Sequence, residues 1–245
     1  LVSEPGDINK LLENIKHLID LKKSGTINDS FNNSENFKKF NFQNFFSKIN
    51  NQFVKLKYEK DKNKLKLIEN IKDIPFNHNF IMVALNLAFI GFLKSKDLSV
   101  FKNTYLWADG IFAKRFYNHY VEKISGRKLI QSLSIPKSKD TIHVVGNLTS
   151  NSTEYLNKRF NLKIRHTPMP FANINDLKKK LPKIYSNEVI FLTLPTPKQE
   201  VIANELANSN ENYTIFCVGG ALNMLAGDEP EPPGGIIENN FEFLW

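Results

Sequence analysis

A chain of 245 residues has room for one large α/β domain, alone or with a helical extension. Its 41% hydrophobic and 24% charged residues are those of an ordinary globular protein, and no apolar run approaches a membrane span. The formal net charge of +8 favours anionic partners, but it is scattered through Lys-rich segments and not gathered in an arginine run, so no nucleic acid is expected as partner. The single cysteine, Cys217, lies in an apolar run, excludes an internal disulfide and fits a reducing compartment.

In chain order, Asp7 can cap a helix to about residue 23, with Ile8, Leu11, Leu12, Ile15, Leu18 and Ile19 on one face. Residues 24–36 read as a linker, and residues 40–53 are again helical in period. Residues 53–58 alternate like a strand, and a Lys-rich helix is predicted from there to Ile74. Beyond Asn79 the texture changes. Strands are predicted at 80–85, 104–107, 141–145, 163–166, 189–194 and 213–218. Between them lie predicted helices near 88–94, 111–121, 153–160, 174–184 and 197–206. Such alternation implies βαβ units and a doubly wound, mostly parallel Rossmann-like sheet. The division expected is a helical extension over 1–38 and an α/β body over 39–245.

Two strand exits stand out. Leu194-Pro-Thr-Pro-Lys-Gln-Glu200 is expected to run extended through its prolines and then to open a helix with Lys198, Gln199 and Glu200. Val218-Gly-Gly-Ala221 makes a tight exit at Gly219 and Gly220, with a second helix over 220–226. In parallel sheets ligands gather where strand carboxyl ends meet helix amino ends, so the two exits are expected to share a pocket. A Walker-type phosphate loop and a Gly-x-Ser-x-Gly nucleophile are absent, and the five histidines lack metal-ligand spacing, so no metal is expected. Asp109, before Gly110 at a strand end, reads either as a helix N-cap or as a general base held in a cleft. Asn86 carries the same two readings, cap or substrate contact.

Asn86, Trp107-Ala-Asp-Gly110, Ile124-Ser-Gly-Arg-Lys-Leu129, Pro197-Lys-Gln-Glu200 and Val218-Gly-Gly-Ala…Ala-Gly227 occur in that order. This set resembles the WecG/TagA/CpsF family of bacterial glycosyltransferases over roughly residues 76–245. The resemblance implies an inverting, metal-independent transferase with no cofactor beyond its donor substrate. It would move a sugar, of N-acetylmannosamine type or another hexose, from a UDP-sugar to a polyprenyl-diphosphate-linked saccharide. It would work peripherally on the cytoplasmic membrane surface in cell-envelope or capsule polysaccharide synthesis, with a second copy of the chain as a further candidate partner.

Carried over by position, Asp109 would be the base and Asn86 and Gln199 would contact the sugars. Lys198, Gly219 and Gly220 would lie near the nucleotide, with Gly110, Glu200 and Asn223 completing the substrate contacts. The expected physics is one carboxylate on the acceptor side and positive or N–H-rich surroundings on the diphosphate side.

The chain departs from the pattern at four places: Ala84 for a Thr, Lys128 and Asn223 for Asp, and Glu231 for an Arg. These departures motivate an alternative, a non-catalytic sugar-nucleotide-binding or assembly homologue of the same fold. The resemblance also implies a basic tail after Trp245, which is expected to have been removed or never present.

Overall fold

The computed structural model describes residues 66–93, 103–110 and 122–230. The elements predicted at 7–23, 40–53, 53–58 and 111–121 lie outside the described residues, as does everything after 230. Within them a single sheet holds β1 (Lys66–Ile68), β2 (Phe80–Leu85), β3 (Thr104–Ala108), β4 (Thr141–Gly146), β5 (Lys163–Pro168), β6 (Glu188–Thr193) and β7 (Thr214–Cys217). The strand order is β1-β3-β2-β7-β6-β4-β5, and every pair is parallel. The helices are α1 (Leu87–Leu93), α2 (Gly126–Ser132), α3 (Ser150–Phe160), α4 (Ile174–Lys178), α5 (Lys198–Asn208) and α6 (Ala221–Leu225). With helices on both faces, this is the doubly wound Rossmann-like fold that the strand–helix alternation predicts.

The central strands are apolar along their whole length because both faces are covered. Phe80, Met82, Trp107, Val144, Phe191 and Phe216 point to one face, where they pack with Leu129 and Ile130 of α2, Leu156 of α3 and Leu222 of α6. Alternate residues, among them Ile81, Val83, Ile190 and Ile215, are equally buried and turn to the other face. There α5 lies against β2, β6 and β7 and buries Ile202, Ala203 and Leu206. Phe216 anchors the first face, its ring edge-on to Phe80 at 5.3 Å and to Phe191 at 5.8 Å.

Two local expectations are corrected, and one helix is added. The helix predicted to run to Ile74 gives way to strand β1, with Leu67 opposite Leu106, followed by a short 3-10 turn at Ile71–Asp73. Lys-Leu-Lys-Leu satisfies period two as well as a helix, and pairing at the free edge of β3 decides between them. The helix predicted over 174–184 stops at Lys178, the residue whose carbonyl a continuing helix would pair with residue 182, where Pro182 has no N–H to give and its ring would clash. Finally α2 is a helix that hydrophobic periodicity does not reveal; Ser125 caps it by accepting from Lys128 N at 3.2 Å.

A buried polar knot ties β4, β5 and β6 together. His143 Nδ1 accepts from Arg165 Nη2 at 2.7 Å, so the ring proton sits on Nε2, which faces Thr167 Oγ1 at 2.8 Å. Arg165 also donates to Glu188 Oε2 at 2.6 Å. Burial, then the neighbouring Arg165 charge, lower the His143 pKa to about 4. A folded pKa below the unfolded value means the unfolded chain binds the extra proton first. The contribution is therefore complete above the ordinary histidine range and is lost as pH falls toward 4. We expect a stability loss of up to about 3 kcal/mol from this group over that window. His143→Gln should flatten the dependence of the urea midpoint on pH there; an unchanged slope would refute the assignment.

Candidate active site

The carboxyl ends of β3, β2, β7 and β6, the middle of the sheet, open into a cleft of about 490 Å³. Its lining includes Asn86 after β2, Asp109 after β3, Thr196 and Gln199 after β6, and Gly219 and Gly220 after β7. The two strand exits therefore share one pocket, as expected, and Asp109 and Asn86 stand in the same cleft.

Of the two readings of Asn86, the cap is shown, and the residue also lines the cleft. Its Oδ1 accepts from Phe89 N at 3.0 Å and caps α1, which leaves the Nδ2 amide as the group to offer a ligand. Asp109 lies half-buried on the cleft wall next to Gly110, whose φ of +78° needs the missing side chain. Gly110 itself is not part of the lining.

The Pro-rich exit is not extended. Lys198 N donates to Pro195 O at 2.8 Å, so Thr196 and Pro197 form a turn that swings Gln199 under the cleft. Gln199 is locked there. Its Nε2 donates to Thr196 Oγ1 at 3.1 Å and to Glu200 Oε1 at 3.0 Å, while its Oε1 accepts from Gly219 N at 3.0 Å. Both amide protons are committed, so toward the cleft Gln199 has only an acceptor lone pair to give, suited to a ligand hydroxyl. Gly219 holds this geometry with φ of +55°.

Glu200 is placed differently from its expected role. It is fully buried, does not line the cleft, and accepts from Thr196 Oγ1 at 3.0 Å as well as from Gln199. Burial raises its pKa, opposed in part by bonds from its own backbone N–H, Thr196 and Gln199. Burial, and then the charge of Glu200, push the thiol of Cys217, a buried residue of the cleft lining, well up, which keeps it protonated. Lys198 is also outside the lining; its Nζ sits 4.6 Å from the ring centroid of Phe171.

Asn223 is buried behind the cleft. Its Oδ1 accepts from Ser152 Oγ at 3.3 Å, and its Nδ2 donates to Glu229 Oε1 at 3.0 Å. That bond fixes Glu229, a lining residue, against the backbone of Gly220. An aspartate at 223 has no proton to donate. We therefore expect Asn223→Asp to set two carboxylates face to face and to destabilise by about 1–3 kcal/mol. Repulsion raises the folded pKa of such a pair, so the deficit should grow as pH rises from 4.5 to 8; an equal deficit at both would count against the contact.

Sequence reasoning missed several lining residues. Ser125, Gly126 and Arg127 enter from the start of α2, and Gly126 lies so close to α6 that a Cβ there would come within 2.9 Å of Ala221 Cβ. The quoted Ser-Gly-Arg segment was the available signal. Glu229 had none beyond its place after Gly227. The indole Nε1 of Trp107, another lining residue, is buried without a hydrogen-bond partner, which leaves a donor for a ligand to satisfy.

The surroundings are less positive than expected. Among the described residues the charged lining groups are Asp109, Arg127 and Glu229. The first N–H groups of α5 are turned inward, Lys198 N and Gln199 N to Pro195 O and Glu200 N to its own carboxylate, and Gly219 N is shared by Leu192 O and Gln199 Oε1. Among the described residues no three His, Cys, Asp or Glu side chains converge as metal ligands, and no helix is long and apolar enough to cross a membrane.

A parallel sheet that gathers carboxylates, a guanidinium and two carboxamides around a cleft at its carboxyl edge defines an α/β protein built to hold a polar ligand. Over residues 62–245 the chain matches the model of the glycosyl transferase WecG/TagA/CpsF family, and it belongs to that family. Membership places it among the glycosyltransferases of cell-surface polysaccharide synthesis. No curated protein matches it in a direct comparison.

Proposed function

We propose that the chain is an inverting glycosyltransferase that moves a hexose from a UDP-sugar to a saccharide on a polyprenyl diphosphate, at the cytoplasmic surface of the membrane. The observation that supports this most is the convergence of Asp109, Asn86 and Gln199 on one cleft in a chain of this family. Asp109 takes the proton of the acceptor hydroxyl as its oxygen attacks the anomeric carbon. The bond from that carbon to the diphosphate oxygen breaks from the opposite side, its electron pair leaves with UDP, and the anomeric centre inverts.

Gln199 accepts from a sugar hydroxyl, and Asn86 Nδ2 donates to another. Arg127 is the lining cation suited to balance the charge of the departing diphosphate. The Gly219-Gly220 turn lies at the nucleotide end, Lys198 stands outside the cleft, and Asn223 acts through Glu229. Neither a metal nor a further cofactor has a part in this scheme.

The test is a panel of UDP-sugars offered with a short-chain polyprenyl-diphosphate acceptor, read by mass spectrometry. A new glycosidic product with one donor is expected. UDP-sugar binding by calorimetry with no product from any donor would instead favour the non-catalytic homologue, the reading to which Glu229 in the cleft lends weight, since it would oppose a diphosphate there.

A further inference from the structure

The loop from the end of β5 to α4 carries Pro168, Met169, Pro170 and Phe171 in succession. Phe171 is 98% exposed, and among the described residues the other exposed large apolar side chain is Tyr185, at 46%. A phenylalanine ring left almost wholly in water on a proline-flanked tip gains nothing for the fold. The loop stands at the carboxyl edge of the sheet, the edge onto which the cleft opens. It is also tied to the site, because the Phe171 ring lies under the ammonium of Lys198, the residue before Gln199.

Charge follows directly behind the tip. Of the four lysines within twelve residues of Phe171, Lys178 is paired with Glu205 and Lys179 with Asp176 at 3.1 Å, while Lys180 and Lys183 are exposed. An exposed aromatic tip with a lysine ammonium on its ring is the chemistry of a peripheral contact with an anionic lipid surface.

We propose that Phe171 and its proline-flanked loop insert into the headgroup region of an anionic membrane, with Lys198 and Lys180 facing the lipid phosphates. This sets the mouth of the cleft against the bilayer. It rests on the reading that the acceptor is lipid-linked, and it adds a docking surface to that reading.

The test uses the full chain. Phe171→Ser is compared with the native chain in co-sedimentation with phosphatidylcholine vesicles, with and without phosphatidylglycerol. Phe171→Trp serves as a reporter of insertion. Expected results are a partition onto the anionic vesicles that falls about tenfold in Phe171→Ser, and a blue-shifted emission of Trp at 171 when those vesicles are added. Turnover of a soluble short-chain acceptor should stay unchanged in Phe171→Ser. Equal partition of native and Phe171→Ser chains overturns the proposal, as does a native chain that ignores anionic vesicles. Loss of soluble turnover in Phe171→Ser also overturns it, since the ring would then contact substrate. Sedimentation and emission need no turnover, so they decide the surface even if every UDP-sugar fails as donor.

Discussion

Asp109→Asn should lower turnover by about 10²–10⁴-fold while UDP binding stays within about threefold of the native value. The asparagine keeps the shape and one acceptor oxygen of the carboxylate but cannot take up the acceptor's proton. The predicted split follows from place: Asp109 stands at the end of β3, whereas the Gly219-Gly220 turn belongs to β7, across β2. Product formation by mass spectrometry and UDP titration by calorimetry measure the two halves. Native turnover in Asp109→Asn would remove the residue as base, and loss of UDP binding would make it a donor contact instead.

Glu200→Ala should be the most damaging change beneath the cleft. It removes the oxygen on which both Thr196 Oγ1 and Gln199 Nε2 converge, and it leaves a buried hole under the turn. An expected loss of about 2–4 kcal/mol, read from urea unfolding, reflects the stranded donors and the cavity together. Gln199 then loses its fixed amide orientation, and KM for the sugar substrate should rise more than kcat falls.

Glu200→Gln separates charge from shape. Because burial raises the folded pKa of Glu200, its stabilising contribution is present below the unfolded pKa and is lost as pH rises through the folded one. Glu200→Gln should therefore gain on the native chain between pH 4.5 and pH 8. His143 titrates with the opposite sign but is present in both proteins, so it cancels in the comparison. A difference that does not move with pH would show that Glu200 is ionised throughout.

Much of the fold was legible because a buried parallel strand must be apolar along its length. Phe80–Leu85, Glu188–Thr193 and Thr214–Cys217 each appear as such runs, and strand and helix alternate with short connections. Where two periods fit one segment, as at Lys66–Ile68, only the neighbouring strand could choose. The site was legible as residue types at strand exits: Asn86, Asp109, Gln199, Gly219 and Gly220 all reach the cleft. Glu200 was misplaced because successive helix residues point about 100° apart, so in Lys198-Gln199-Glu200 only the middle side chain lines the cleft. Asn223 was misjudged for a related reason: its partner, Glu229, is what reaches the cleft.

By itself the amino-acid sequence determined the α/β class, the family, and which strand ends meet at the cleft, since these depend on local pattern and on motif order. Only the tertiary structure decided which polar groups face the cleft and which face each other. Hydrogen bonds such as Gln199 with Gly219 and Asn223 with Glu229, and the cation–π contact of Lys198 with Phe171, are settled by packing between distant elements, and local pattern carries no trace of that packing.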